Sequence, residues 1–389
     1  MNKRTFALKA FALAALCLLA TTARAQTETW APAEPRRVVP ERLAVYTCDG
    51  QTRVAAYWVF STGGFRVIQT PLVSRSGQTV TLDARVENWT GAVTLSLVPF
   101  EKTFELGALE PGDYTLDFRS WGAPLKQAQF TVPREAPVGR EIDRPCFFVS
   151  QHYRDFLSRE PDAGGLAFWS NELHACGADA QCREVKKINV SAAFFLSIEF
   201  QQTGYFVYRV YKAALGRAPS HAEFGPDAAR VGHHVVVGSN DPWALRLSYN
   251  KDAFAQEFAG RQEFLARYEG LTHAQYVDKL FENAGVQPTQ AVRDALVAGL
   301  QSQAETRSTV LLKVAEDVKV SQKLFSEGFV LMQYFGYLRR NPDDPPDTDF
   351  SGYNFWLAKL NAFGGDFRAA EMVKAFITSG EYRRRFGPE

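Results

Sequence analysis

The chain has 389 residues, of which 44 are lysine or arginine and 43 are aspartate or glutamate, for a formal net charge of +1. That balance gives no electrostatic case for nucleic acid, whose phosphates select basic patches. A 46% hydrophobic and 13% aromatic content excludes a disordered chain, and the length suits two or three domains at roughly 100–200 residues each.

Lys3, Arg4 and Lys9 precede the apolar run Ala10–Ala20, and Ala23-Arg24-Ala25 follows it. A basic end, a short apolar stretch and a small-x-small site in that order predict a cleavable secretory signal peptide over residues 1–25. The run falls short of the roughly 20 apolar residues needed to cross a bilayer, and no later stretch reaches that length. Cleavage removes four basic residues (Lys3, Arg4, Lys9, Arg24) and no acid, leaving 40 basic against 43 acidic residues and a net charge of −3. The expected location is secreted or periplasmic, in a bacterial envelope, with no membrane span after cleavage.

Residues 26–40 carry Pro32, Pro35 and Pro40 and read as a flexible lead-in. From 41 to 133 the pattern is β. Ala55–Phe60, Phe65–Ile68, Thr79–Val86, Val93–Val98, Tyr114–Phe118 and Gln127–Val132 are short apolar or alternating runs separated by turns. Six or seven such strands predict an immunoglobulin-like β-sandwich. Trp58, Trp89 and Trp121 suit core and corner packing, with a sugar-stacking platform as the sharper alternative. Asn88-Trp89-Thr90 matches a glycosylation acceptor, a weak three-residue pattern. Residues 134–146 read as a linker.

Four cysteines survive cleavage, an even number that favours disulfides in an exported chain. Cys176 and Cys182 flank the small polar loop Gly177–Gln181 and are expected to pair, leaving Cys48 with Cys146. A metal site lacks the usual CxxC spacing, and His174 beside Cys176 makes a poor ligand pattern.

After Cys146 the period becomes helical, and residues 147–387 contain an internal repeat with units starting near 147, 205, 275 and 328. Phe148-Val149 is followed by Tyr153, Leu157, Arg159 and Pro161-Asp162. Phe206-Val207 is followed at the same offsets by Tyr211, Leu215, Arg217 and Pro219, and Phe329-Val330 by Tyr334, Leu338, Arg340 and Pro342-Asp343. A second helix, carrying Phe168-Trp169 or Phe355-Trp356, and a third, ending in Glu199-Phe200 or Glu381-Tyr382, complete the first and last copies. The copy near Tyr276 is degenerate. The fold expected is α+β and multidomain: a sandwich followed by an all-α repeat body.

The run Tyr153–Trp169, the signature Phe195–Phe200 and their counterparts in the last copy resemble the domain of unknown function 4214 family, helical proteins related to phycobilisome linker domains. The resemblance covers about 147–387 and implies an exported, contact-making module with no catalytic residues. Its motif positions here are Tyr153, Arg159, Asp162, Trp169, Glu199, Phe200, Tyr334, Arg340, Asp343, Trp356 and Glu381. Structural roles are expected for them. Arg159 would meet the last-turn carbonyls of its helix, Asp162 would cap the next helix, and the tryptophans would supply buried area. The last copy departs by a six-residue longer loop between Asp343 and Ser351.

Asp347, Asp349 and Ser351 have the spacing of a calcium loop and make the one metal candidate, although the closing position is Ala358 instead of a carboxylate. Asp343 and Asp344 stand on the other side. The neighbours His233 and His234, in a short strand or loop, and His152, on a face beside the Tyr153 stripe, are weaker ligand candidates. GxSxG, HExxH, Walker A and GxGxxG motifs are absent from the sequence, so no cofactor is expected. The leading reading is a non-enzymatic structural or interaction protein that binds an envelope protein or a surface polysaccharide. A carbohydrate-binding accessory module and an uncharacterised hydrolase are the alternatives. Loops 220–250 and 341–351 are the expected binding surfaces.

Overall fold

The computed structural model describes residues 28–68, 70–134, 139–238 and 242–387, so the predicted signal peptide lies outside the described residues. Sheets between residues 30 and 132 are followed by helices, with 51% of the chain helical and 19% in strands. The two kinds of structure are therefore segregated along the sequence, as the change of period at Cys146 predicts.

In chain order the strands are β1 (Trp30–Pro32), β2 (Arg42–Cys48), β3 (Gln51–Phe60), β4 (Phe65–Val67), β5 (Leu72–Ser76), β6 (Thr79–Asp83), β7 (Val86–Trp89), β8 (Val98–Gly107), β9 (Gly112–Ser120) and β10 (Ala123–Val132). They form three sheets ordered β1-β7-β4, β10-β9-β6-β5 and β2-β3-β8. All pairings are antiparallel except β6 with β9, which run parallel with Thr79 opposite Thr115. One apolar core lies between them, centred on Trp58. Its ring meets Phe60, Phe100, Phe104 and Phe118, and its indole N–H donates to Val38 O at 2.8 Å.

Two expectations fail in this half. The lead-in is partly built into the structure: β1 pairs with β7, and Val38 is buried, because Trp30 and Val38 give it apolar anchors. The run Val93–Val98 is no strand. Residues 91–97 are irregular, β8 starts at Val98, and Leu95 and Leu97 stand 90% and 75% exposed. Alternation alone misleads there, since no strand among the described residues offers its backbone a partner.

The helices are α1 (Pro145–Leu157), α2 (Ala163–His174), α3 (Ala180–Leu196), α4 (Ile198–Gln202), α5 (Gly204–Leu215), α6 (His221–Val231), α7 (Trp243–Ala259) and α8 (Gln262–Tyr268). They continue as α9 (His273–Asn283), α10 (Gln290–Gln301), α11 (Arg307–Glu316), α12 (Val318–Gln333), a π-helical turn at Tyr334–Leu338, α13 (Ser351–Ala362), α14 (Met372–Thr378) and α15 (Gly380–Arg384). Side-chain caps fix several starts: Asp162 for α2, Asp179 for α3, Ser197 for α4 and Ser379 for α15 each accept from a first-turn amide. A single aromatic-rich core runs through the helical half, with α5 buried along almost its whole length.

The start and the end of the helical half are sealed to each other. Arg383 pairs with Asp143 at 2.9 Å, Arg385 pairs with Asp155 at 2.9 Å, and Phe386 packs edge-on against Phe147. His152, expected on a neighbouring face, is fully buried between α1 and α3. Its ring nitrogens contact Phe148 O at 2.7 Å and Ser191 Oγ at 2.8 Å. Burial pushes its pKa down to about 3, so the ring is neutral.

The two halves meet at a joint. The disulfide Cys48–Cys146 ties the end of β2 to the first turn of α1, and Cys176 pairs with Cys182 as expected. Tyr46, Cys48, Cys146 and Ala167 make a small core of their own, and Asn171 Nδ2 donates to Val45 O at 2.9 Å.

Candidate functional site: arginine clasps and the joint clefts

The motif residues build one local construction that occurs three times. The residue after α1, Ser158, takes a left-handed conformation (φ 53°), which ends the helix and swings Arg159 back across it. The Arg159 guanidinium then lies 4.8 Å from the Tyr153 ring centre. Its Nε and Nη2 donate to the two oxygens of Glu199 at 2.6 and 2.9 Å, and Nη1 donates to Glu160 O at 3.1 Å. A two-pronged arginine–carboxylate pair of this kind fixes direction as well as distance. Ser197 supplies the cap that places Glu199 in the first turn of α4, where the helix dipole also favours the carboxylate.

After α5, Gly216 is left-handed (φ 67°), and Arg217 lies 5.4 Å from Tyr211. It donates to Glu263 at 2.7 Å and to Ala218 O at 3.1 Å. After the π-helical turn, Arg339 is left-handed (φ 59°), and Arg340 lies 5.4 Å from Tyr334. It donates to Glu381 at 2.7 Å and to Asn341 O at 3.0 Å. The arginines thus meet the carbonyl that follows them and a distant glutamate, instead of the last-turn carbonyls expected from the sequence. Near Tyr276 the clasp is replaced: Arg307 stacks 5.2 Å from that ring and donates to Tyr268 O and Leu271 O.

The second glycine of the first motif has a packing reason. A Cβ on Gly165 would lie 2.0 Å from the Tyr153 hydroxyl, and one on Gly352 would lie 2.8 Å from the Tyr334 hydroxyl. Asp162 caps α2 through Gly165 N at 2.7 Å, as expected, and reaches Arg159 at 3.4 Å. Asp343 does not repeat that role. It is exposed in the longer loop, and Asp347 pairs with Arg340 at 2.7 Å in its place. The extra residues push the equivalent acid four positions along. Sequence reasoning assigned neither Glu263 nor Asp347 to a clasp, and the Glu-aromatic pair Glu263-Phe264 was the available signal for the first.

The calcium candidate is redirected by these contacts. Asp347 is held by the Arg340 cation, Asp349 accepts from Ser351 N at 2.8 Å, and among the described residues no group of three or more His, Cys, Asp or Glu could hold a metal ion. His233 and His234 lie in a turn, not a strand, with ring centres 3.9 Å apart. The three tryptophans form no exposed row: Trp58 is core, Trp89 packs on Trp30 at 5.4 Å, and the Trp121 indole N–H donates to Val86 O at 2.8 Å.

The first clasp differs from the others in facing the β half. A cleft of about 690 Å³ separates them, with Arg42 and Glu101 on the β side and Tyr153, Arg159, Trp169 and Glu199 on the helical side. Glu101 accepts from the Ala163 amide at the start of α2, and burial together with the Asp162 carboxylate raises its pKa. Burial likewise pushes the Tyr153 hydroxyl up, so it stays protonated. A second cleft, about 1200 Å³, lies on the other side of α2. Phe168 borders both and is 58% exposed, while its neighbour Trp169 packs against Phe194.

No protein-family profile, no curated protein and no solved structure matches this chain.

Proposed function

We propose that the chain is an exported, non-catalytic contact protein of the domain of unknown function 4214 family, in which an immunoglobulin-like sandwich and a helical repeat body jointly hold an envelope protein or a surface polysaccharide. The recurrence of one clasp at Arg159, Arg217 and Arg340 supports the repeat. Two disulfides support an oxidising compartment. No helix among the described residues is long and apolar enough to cross a membrane.

The observation that carries the contact reading is Phe168, a large apolar side chain left exposed on the ridge between two clefts at a covalently tied joint. Clefts between domains that expose an aromatic ridge are common ligand sites. The test is surface binding of the disulfide-bonded chain from residue 26 against purified envelope polysaccharides and envelope proteins, beside Phe168→Ala. One component should bind, and the variant should weaken it by about tenfold, the loss typical of a contact hot spot. Undiminished binding by the variant, or release of a cleaved product, would overturn the reading.

A further inference from the structure

The larger cleft is bordered by the margins of two sheets. β2 is the outermost strand of β2-β3-β8, and β10 is the outermost strand of β10-β9-β6-β5. The two margins are tied at one end, where Lys126 Nζ donates to Pro40 O at 3.1 Å and also to Glu41 O. Beyond that tie, residues Arg42–Val45 and Ala128–Arg134 line the larger cleft. Helix α2 already covers part of the β2 margin through Asn171 and Val45 O. Among the described residues, no backbone group between Ala128 and Val132 has a hydrogen-bond partner on the side away from β9.

An open strand margin inside a cleft is unusual, because folded proteins cover or blunt such margins against stray pairing. Here the margin lies along a cleft whose opposite side is lined by residues of β2 and α2. The open stretch Ala128–Val132, at the strand rise, offers roughly 17 Å of template. Along it, Ala128, Phe130 and Val132 alternate with Gln129 and Thr131. The charged residues bordering this cleft are Arg42 and Arg134, and no aspartate or glutamate borders it. His174 stands in the same wall with both ring nitrogens shielded and without a protein partner.

We infer that this cleft binds an extended peptide segment of a partner protein, which adds as a strand to the margin of β10 and ends in a carboxylate that meets Arg134. This rests on the contact reading above and names its partner class. The main-chain bonds supply affinity, apolar side chains at alternate positions meet Phe130 and Phe168, and the Arg134 guanidinium selects an acidic end.

The probe is a fluorescein-labelled heptapeptide of alternating threonine and valine ending in glutamate, titrated by anisotropy against the disulfide-bonded chain from residue 26. Three controls accompany it: the same peptide N-methylated at alternate residues, a lysine-ended version, and Arg134→Glu protein. The expected result is binding of the acidic peptide, with losses of about tenfold or more for each control, as when several backbone bonds or a charge pair are removed. Equal binding of the N-methylated peptide overturns strand addition, and equal binding of the lysine-ended one overturns the acidic preference. No binding by any peptide, or displacement only by an oligogalacturonate, overturns the partner class. Those outcomes leave the contact reading intact, because the Phe168→Ala comparison on envelope components tests it independently.

Discussion

The first and last clasps use the same residue types and nearly the same distances, yet they sit in different surroundings. Glu199 is sealed under the joint with its side chain 8% exposed, whereas Glu381 is 28% exposed and Glu263, in the middle clasp, is 50% exposed. The arginine grip is therefore a common frame, and what differs is how much water reaches it. A buried carboxylate has no solvent to fall back on, so the same bond matters more where the β half covers it.

That gradient can be tested directly. Removing Arg159 while leaving Glu199 strands a buried charge, and Arg159→Ala should cost about 3 kcal/mol in chemical denaturation. Arg340→Ala should cost about 1–2 kcal/mol and Arg217→Ala less than about 1 kcal/mol, since the median exposed pair contributes little. Equal losses at all three positions would show that water access does not rank them.

A second comparison concerns proton uptake. His152 and Gln333 occupy matching places in α1 and α12, each contacting the carbonyl four residues back, at Phe148 and Phe329. Only the histidine titrates. Its folded pKa, about 3, lies below the unfolded value of about 6.5. The unfolded chain therefore binds the proton first as pH falls, and stability is lost from about pH 6.5 downward at up to about 1.4 kcal/mol per pH unit. His152→Gln, copying the other half, should flatten the stability curve between pH 6 and 5. A slope unchanged by the substitution would assign it to other groups.

The smallest expected effect separates the two exposed motif phenylalanines. Phe168 and Phe355 are each 58% exposed beside their tryptophans. Substituting either by alanine should shift stability by no more than about 0.5 kcal/mol, as at other surface positions. Only Phe168→Ala should alter partner binding, because only Phe168 faces the clefts. Equal binding losses from both would move the contact surface off the joint.

How much of this was legible in the sequence varies with the kind of force involved. The cysteine pairing followed from spacing and parity, and the change from β to helical texture followed from period, because both are local properties. The Asp162 cap was legible for the same reason. Glu199 and Arg159 were visible as motif members, but their meeting depends on a left-handed Ser158, a conformation that serine adopts seldom. The role passed from Asp343 to Asp347 because a longer loop changed which carboxylate arrives at the guanidinium, and loop geometry is not written in residue type. The false strand at Val93–Val98 shows the converse: a pattern without a partner strand remains a pattern.

The seal between the ends of the helical half carries a consequence for the birth of the molecule. Asp143 and Asp155, near the start of that half, find their partners in Arg383 and Arg385, some 230–240 positions later, and Phe147 finds Phe386. A nascent chain therefore makes the intervening residues with the first helix lacking one wall. Folding of this half ends as a closure, when the segment around Arg383–Phe386 docks against Asp143–Asp155, and a truncation before Arg383 should leave a body open along that seam and exposed to proteolysis there.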